Sequence, residues 1–207
     1  MNNSYVWYAS YGSNLYRKRF LCYIIGGSPE GSSKYNIGSR NKTHPIGDEQ
    51  IIIPYSLYFA KRAMSWGNKG VAFIGLDKEN KTYGRMYLIT EEQFMDVVCQ
   101  ENGNINLSID LNMVITNNSV VLKSDTWYGN ILYLGSNNDY PIFTFTSPNS
   151  MNSEHFIPPS SEYLSVIIKG LKETYNFSDK EIANYLITKP GVENNFTLDG
   201  LINLINK

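Results

Sequence analysis

Tyr8-Ala9-Ser10-Tyr11-Gly12-Ser13-Asn14-Leu15 sets a short aromatic strand directly against a glycine turn and a polar helix start. Aromatic and β-branched residues at 5–9 favour a strand, and Gly12 interrupts it. Ser13 or Asn14 can then cap a helix running through Leu15 and Phe20 to about Ile25, with Gly26-Gly27 as its stop. A strand–turn–helix junction of this kind can present backbone N–H groups to an anionic ligand.

Outward from that junction, residues 28–49 are rich in Gly, Ser, Asn, Lys and Pro and show no periodicity. They read as a long loop, either a lid over a site or a simple excursion. Strand signals follow at 51–53, 56–60, 71–76 and 83–89. Thr90-Glu91-Glu92-Gln93 has the spacing of a capping box, which predicts a helix to about Asn102 with Gly103 as its stop. Apolar residues then alternate with mostly polar ones from Ile105 to Ile115, the pattern of a half-buried strand. Further strands are expected at 120–123, 126–134 and 142–145. After Pro158-Pro159 the pattern turns helical, with Ser160 opening a helix to about Tyr175. Ser178-Asp179-Lys180-Glu181 is a second capping box, and Thr197 caps a last helix. Strands first and helices afterwards predict an α+β domain on an antiparallel or mixed sheet curled into a barrel. We divide the chain at 1–175, the main domain, and 176–207, a helical C-terminal extension packed on it.

The 207 residues are 42% hydrophobic, enough for a core, and carry a formal net charge of −1. Arg17-Lys18-Arg19 is a short basic run that suits a solvated helix face. Around the C-terminal helices, Lys180, Lys189 and Lys207 stand against Asp179, Glu181, Glu193 and Asp199, which disfavours nucleic acid. No stretch approaches the ~18 apolar residues of a membrane helix, so the expectation is a cytoplasmic protein without a membrane partner. Cys22 and Cys99 form no CxxC motif and read as reduced thiols. His44 and His155 lack the spacing of a zinc site, so no metal is expected. A homodimer stays open, since the 16 tyrosines suit an interface as well as a core.

One carboxylate stands out. Phe94, Val97 and Val98 mark the apolar face of the capping-box helix, and Glu101 continues their i, i+3, i+4, i+7 series. Periodicity alone leaves two readings. Glu101 either bends out to water or to a cation from a fraying last turn, or it sits in a partly desolvated pocket. There its pKa would move up from ~4.3 towards a range useful for a general base.

Several separated segments, in order, resemble the γ-glutamylcyclotransferases. Tyr11 to Leu15 is similar to that family's Tyr-Gly-Ser-Asn-Leu loop. Ser65-Trp66-Gly67 with Gly70-Val71-Ala72-Phe73-Ile74 resembles its Trp-Gly-Gly-Ile-Ala stretch, with Asn68-Lys69 interrupting the glycine pair. Gly84-Arg85-Met86-Tyr87 resembles its next strand, and Glu101 follows at the family's spacing, with Asn102 where glycine is usual and Gly103 one place late. Pro158-Pro159-Ser160-Ser161-Glu162-Tyr163 with Gly170-Leu171 is similar to its Pro-Pro-Ser helix start.

The resemblance implies a mixed β-barrel flanked by helices. It also implies intramolecular cyclisation of a γ-glutamyl group to 5-oxoproline, releasing an amine or amino acid without cofactor or metal. Glu101 would be the acid/base. Tyr11, Gly12, Ser13, Asn14 and Leu15 would hold the substrate through backbone N–H groups, and Tyr163 would donate from its hydroxyl. A non-catalytic small-molecule binder of the same fold is the first alternative. A serine hydrolase using Ser13 fits less well, because Leu15 stands where a nucleophile elbow has its second glycine.

Overall fold

In the computed structural model, residues 4–29, 35–105 and 107–206 are described. The middle of the expected loop, residues 30–34, lies outside them, as does Asn106 of the expected 105–115 strand. Six strands form one mixed sheet among the described residues, in the order β2-β3-β1-β6-β5-β4. They are β1 (Tyr5–Ser10), β2 (Gly47–Ala63), β3 (Lys69–Thr90), β4 (Ser119–Val121), β5 (Asn130–Asn137) and β6 (Tyr140–Thr146). The helices are α1 (Arg17–Ile25), α2 (Glu91–Glu101), α3 (Leu111–Asn117), α4 (Ser161–Thr174), α5 (Asp179–Ile187) and α6 (Leu198–Ile205). β1 runs parallel to β6 through the pairs Trp7–Ile142 and Tyr8–Phe143. β4, β5 and β6 pair antiparallel. The α+β class and the mixed sheet are those expected from the sequence. None of these helices is long and apolar enough to cross a membrane.

The four short strands expected between 51 and 89 are two long ones, β2 and β3. A 3-10 turn over Met64–Trp66 joins them, followed by Gly67 (φ 68°) and Asn68 (φ 59°), two successive left-handed residues. Asparagine tolerates that conformation better than most side chains, which is why the break in the expected glycine pair costs little here.

The strand expected over 105–115 is not formed. Residues 107–110 are irregular, and α3 begins at Leu111. Asp110 caps it, its carboxylate accepting the N–H groups of Asn112 (3.0 Å) and Met113 (3.2 Å). Leu111 and Val114, three apart, are buried while Met113 and Ile115 are exposed. The period of burial is helical, and the alternation in the sequence is coincidental. Local side-chain capping of this kind competes directly with a sheet ladder.

The chain divides into two compact units. Met1–Ser10, Lys18–Ile51 and Met86–Asn149 make up the first, and Tyr11–Arg17, Ile52–Arg85 and Ser150–Lys207 the second. The core of the first packs β1, α1, α2 and α3 through Tyr8, Phe20, Tyr87, Phe94, Val98, Val114, Phe143 and Phe145. Phe20 stacks on Tyr87 at 4.0 Å, and Tyr8 on Phe145 at 5.3 Å. In the second unit α4 buries Leu164, Ile167, Ile168 and Leu171, the face read from its 3.6-residue period. The 157–159 segment lies along β2 and β3 there. Ile157 N–H donates to Phe59 C=O (2.9 Å), and Gly70 N–H donates to Pro158 C=O (3.0 Å).

Candidate active site

In the second unit, the glycine loop does not open the long helix expected from Ser13 or Asn14. It forms a 3-10 turn over Ser13–Leu15, whose preceding residue Gly12 makes no side-chain cap, and α1 starts separately at Arg17. Leu15 N–H donates to Gly12 C=O (3.0 Å), and Tyr16 N–H to Ser13 C=O (3.3 Å). Ser13, Asn14 and Leu15 of the turn are all buried, as is Tyr11.

Gly12 has φ −106°, open to any residue, so its backbone conformation does not require glycine. Its surroundings do favour one, since a Cβ there would lie 3.2 Å from the Tyr163 hydroxyl and 3.3 Å from Ala72 Cβ. Tyr163 starts α4 under a Ser160 cap and is buried, with Trp66 edge-on at 4.8 Å. Its hydroxyl accepts the Ala72 N–H at 3.1 Å. Tyr163 is therefore anchored by β3 and stands against the glycine loop. The structure brings these two expected site elements together.

A second set of contacts seats the far end of the loop. Gly170 of α4 lies directly beneath Leu15, where a Cβ would come within 2.5 Å of the Leu15 carbonyl carbon and 2.6 Å of Tyr16 N. Arg85 of β3, 7% exposed, donates from Nη1 to Leu15 C=O (3.2 Å) and to Glu173 Oε2 (2.7 Å). The same Glu173 oxygen accepts the Arg17 N–H at 3.2 Å.

In the first unit, Glu101 is the last residue of α2 and is half-buried. It lines a cavity of about 270 Å³ together with Asn102, Gly103, Ile105, Lys123, Asp125, Thr126 and Trp127. Lys123 and Asp125 are themselves paired at 3.5 Å. Asn102, in the usual glycine position, has φ −98° and needs no glycine, whereas Gly103 has φ +77° and turns the chain out of the helix. The Asn102 side chain donates to Val98 C=O (2.9 Å) and Tyr128 C=O (3.2 Å) and accepts the Tyr128 N–H (3.0 Å). It pins the chain at Tyr128, just past the cavity wall, to the end of α2.

Upstream, α2 is fixed by its capping box, in which Thr90 and Gln93 bond reciprocally. Gln93 Nε2 also donates to Asn41 C=O (3.1 Å) and Thr43 C=O (2.7 Å). Among the described residues, no group of three or more His, Cys, Asp or Glu could hold a metal ion.

No family model matches this sequence. A solved gamma-glutamyl cyclotransferase superposes on 98% of this chain and 99% of its own, with a TM-score of 0.53 and 14% identity. The crystal structure of an uncharacterized protein from Homo sapiens matches 99% of both chains, also with a TM-score of 0.53 and 14% identity. The chain has the γ-glutamyl cyclotransferase fold. At this identity the likeness carries the fold and not the activity. A curated relative, histone deacetylase 5 of Arabidopsis thaliana, is 35% identical over 206 residues. The match takes in 89% of this chain and 31% of that protein, so the chain spans about a third of the relative it matches.

Arg85 and Glu173 escaped the sequence reading of this cyclotransferase fold. The signal for Arg85 was present, a lone charge in the aromatic strand Tyr83-Gly84-Arg85-Met86-Tyr87. Its partner was not legible, because Glu173 lies 88 residues away in sequence. Only the position of Glu173, three after Gly170 and so on the same helix face, hints at it.

Proposed function

We propose that this chain cyclises a γ-glutamyl group, forming 5-oxoproline and releasing an amine or amino acid. The observation that carries the reading is Glu101, a half-buried carboxylate at the end of α2 that lines its own cavity on a cyclotransferase fold. In the proposed reaction the substrate's α-nitrogen attacks the γ-carbonyl carbon. A carbon–nitrogen bond closes the five-membered ring, and the original amide bond breaks. Glu101 takes a proton from the α-ammonium and passes one to the leaving nitrogen. A free α-amino group titrates near ~7.7–8.0, so modest assistance makes it nucleophilic. Nucleophile and electrophile belong to one molecule, so the protein's main task is to hold the folded conformer.

The α-carboxylate falls to the backbone of the Tyr11-Gly12-Ser13-Asn14-Leu15 loop, whose turn is closed by the Leu15 N–H bonding Gly12 C=O. Tyr163, whose hydroxyl accepts the Ala72 N–H and lies beside Gly12, is the hydroxyl donor in this reading. The test is incubation with a panel of γ-glutamyl amino acids, γ-glutamylamines and glutathione, with 5-oxoproline scored by mass. Glu101→Gln is expected to keep the fold and lose at least ~100-fold in turnover, in the range of general acid–base contributions. Equal 5-oxoproline release by that variant removes the assignment. Binding of γ-glutamyl compounds by the wild-type protein without turnover selects the binding-protein alternative.

A further inference from the structure

The last peptides of the glycine loop are held from both sides by one ion pair. Arg85 Nη1 takes the Leu15 carbonyl, Glu173 Oε2 takes the Arg17 N–H, and the two groups meet at 2.7 Å. We propose that the Arg85–Glu173 pair is a positioning clamp that sets the glycine loop for the α-carboxylate of a γ-glutamyl group, an inference that rests on the function proposed above.

Three features favour this over a role in packing alone. Arg85 sits in an otherwise aromatic and apolar strand segment, where a buried charge is expensive unless paired, and an apolar residue would pack as well. Of the two protein groups it organises, Leu15 C=O ends the 3-10 turn and Arg17 N–H opens α1, so both lie where the loop hands over to the helix and neither belongs to the sheet or to α4. Gly170 brings the α4 backbone against the same residue, so the loop rests on an unyielding surface with the clamp beside it. Ligand-binding backbone must be held within ~0.5 Å to be effective. A 3-10 turn of three residues has too few hydrogen bonds of its own to achieve that.

The experiment compares wild type, Arg85→Met, Arg85→Lys and Glu173→Gln by steady-state kinetics on the best γ-glutamyl substrate and by amide hydrogen exchange. For Arg85→Met, KM is expected to rise about tenfold with kcat within about threefold, the pattern of lost ground-state binding. Exchange at the Leu15, Tyr16 and Arg17 amides, which are hydrogen-bonded, should quicken about tenfold while that of α5 is unchanged. Arg85→Lys, whose ammonium can serve both acceptors, should restore both quantities. Glu173→Gln, at a 36% exposed side chain, should fold as wild type and fall between, so it carries the test if Arg85→Met does not fold. A lowered kcat with unchanged KM, or loop amides exchanging as in wild type, overturns the clamp. A wild-type chain that makes no 5-oxoproline overturns the proposed function instead, and loop-amide exchange then decides the clamp alone.

Discussion

At Gly170 two opposing single-residue effects can be compared. Alanine in a helix interior is favoured over glycine by ~1 kcal/mol. Against that, the added Cβ would press within 2.6 Å of backbone atoms at Leu15 and Tyr16, which cannot rotate away. Overpacking of this kind costs ~1–3 kcal/mol. Gly170→Ala is therefore expected to lower stability by a net ~1 kcal/mol, read as a lower urea midpoint at unchanged m-value, and a raised midpoint refutes it. Asn102 teaches a related lesson. The resemblance leads to an expected glycine after Glu101, yet position 102 has φ −98° and the Asn102 amide fills it with three hydrogen bonds. The left-handed residue is Gly103, one place on.

Among the elements, α2 was the most legible, because its start is written in contiguous residues. Thr90 and Gln93 form the expected box, and Phe94, Val97 and Val98 are buried as their spacing requires. α4, α5 and α6 likewise begin after Ser160, Ser178 and Thr197. α3 is hidden in the sequence because its residues satisfy two periods at once, and only the contacts of Asp110 and the burial of Leu111 and Val114 choose between them. The 3-10 conformation of the glycine loop is not legible locally, since the Gly170 and Arg85 groups that meet Leu15 are distant in sequence. The double duty of Gln93 gives a test at this scale. Thr90→Ala removes one cap bond and should cost ~0.5–2 kcal/mol. Gln93→Ala removes its half of the box and both bonds to the 41–43 chain, so it should cost more. Chemical denaturation of the pair would show the reverse order if those loop contacts contribute nothing.

For the molecule as a whole, alkaline pH offers a distinctive probe. Burial pushes the Tyr185 hydroxyl well above the usual tyrosine range, outweighing hydrogen bonds from the Tyr83 N–H and Thr82 that act the other way. A pKa raised on folding means stability that is complete below the unfolded value near ~10 and falls as pH rises above it. Unfolding midpoints should thus hold to about pH 10 and then decline. Tyr185→Phe should flatten part of that decline, and an unchanged slope refutes the assignment. The division into two units has a different consequence. Each is assembled from three separate stretches of chain, and β2 and β3 contribute to both. During synthesis the first unit has all its residues only once Asn149 has been made, and the second must wait for Ser150–Lys207. The glycine loop therefore has no α4 to rest on until residues Ser161–Thr174 have been made.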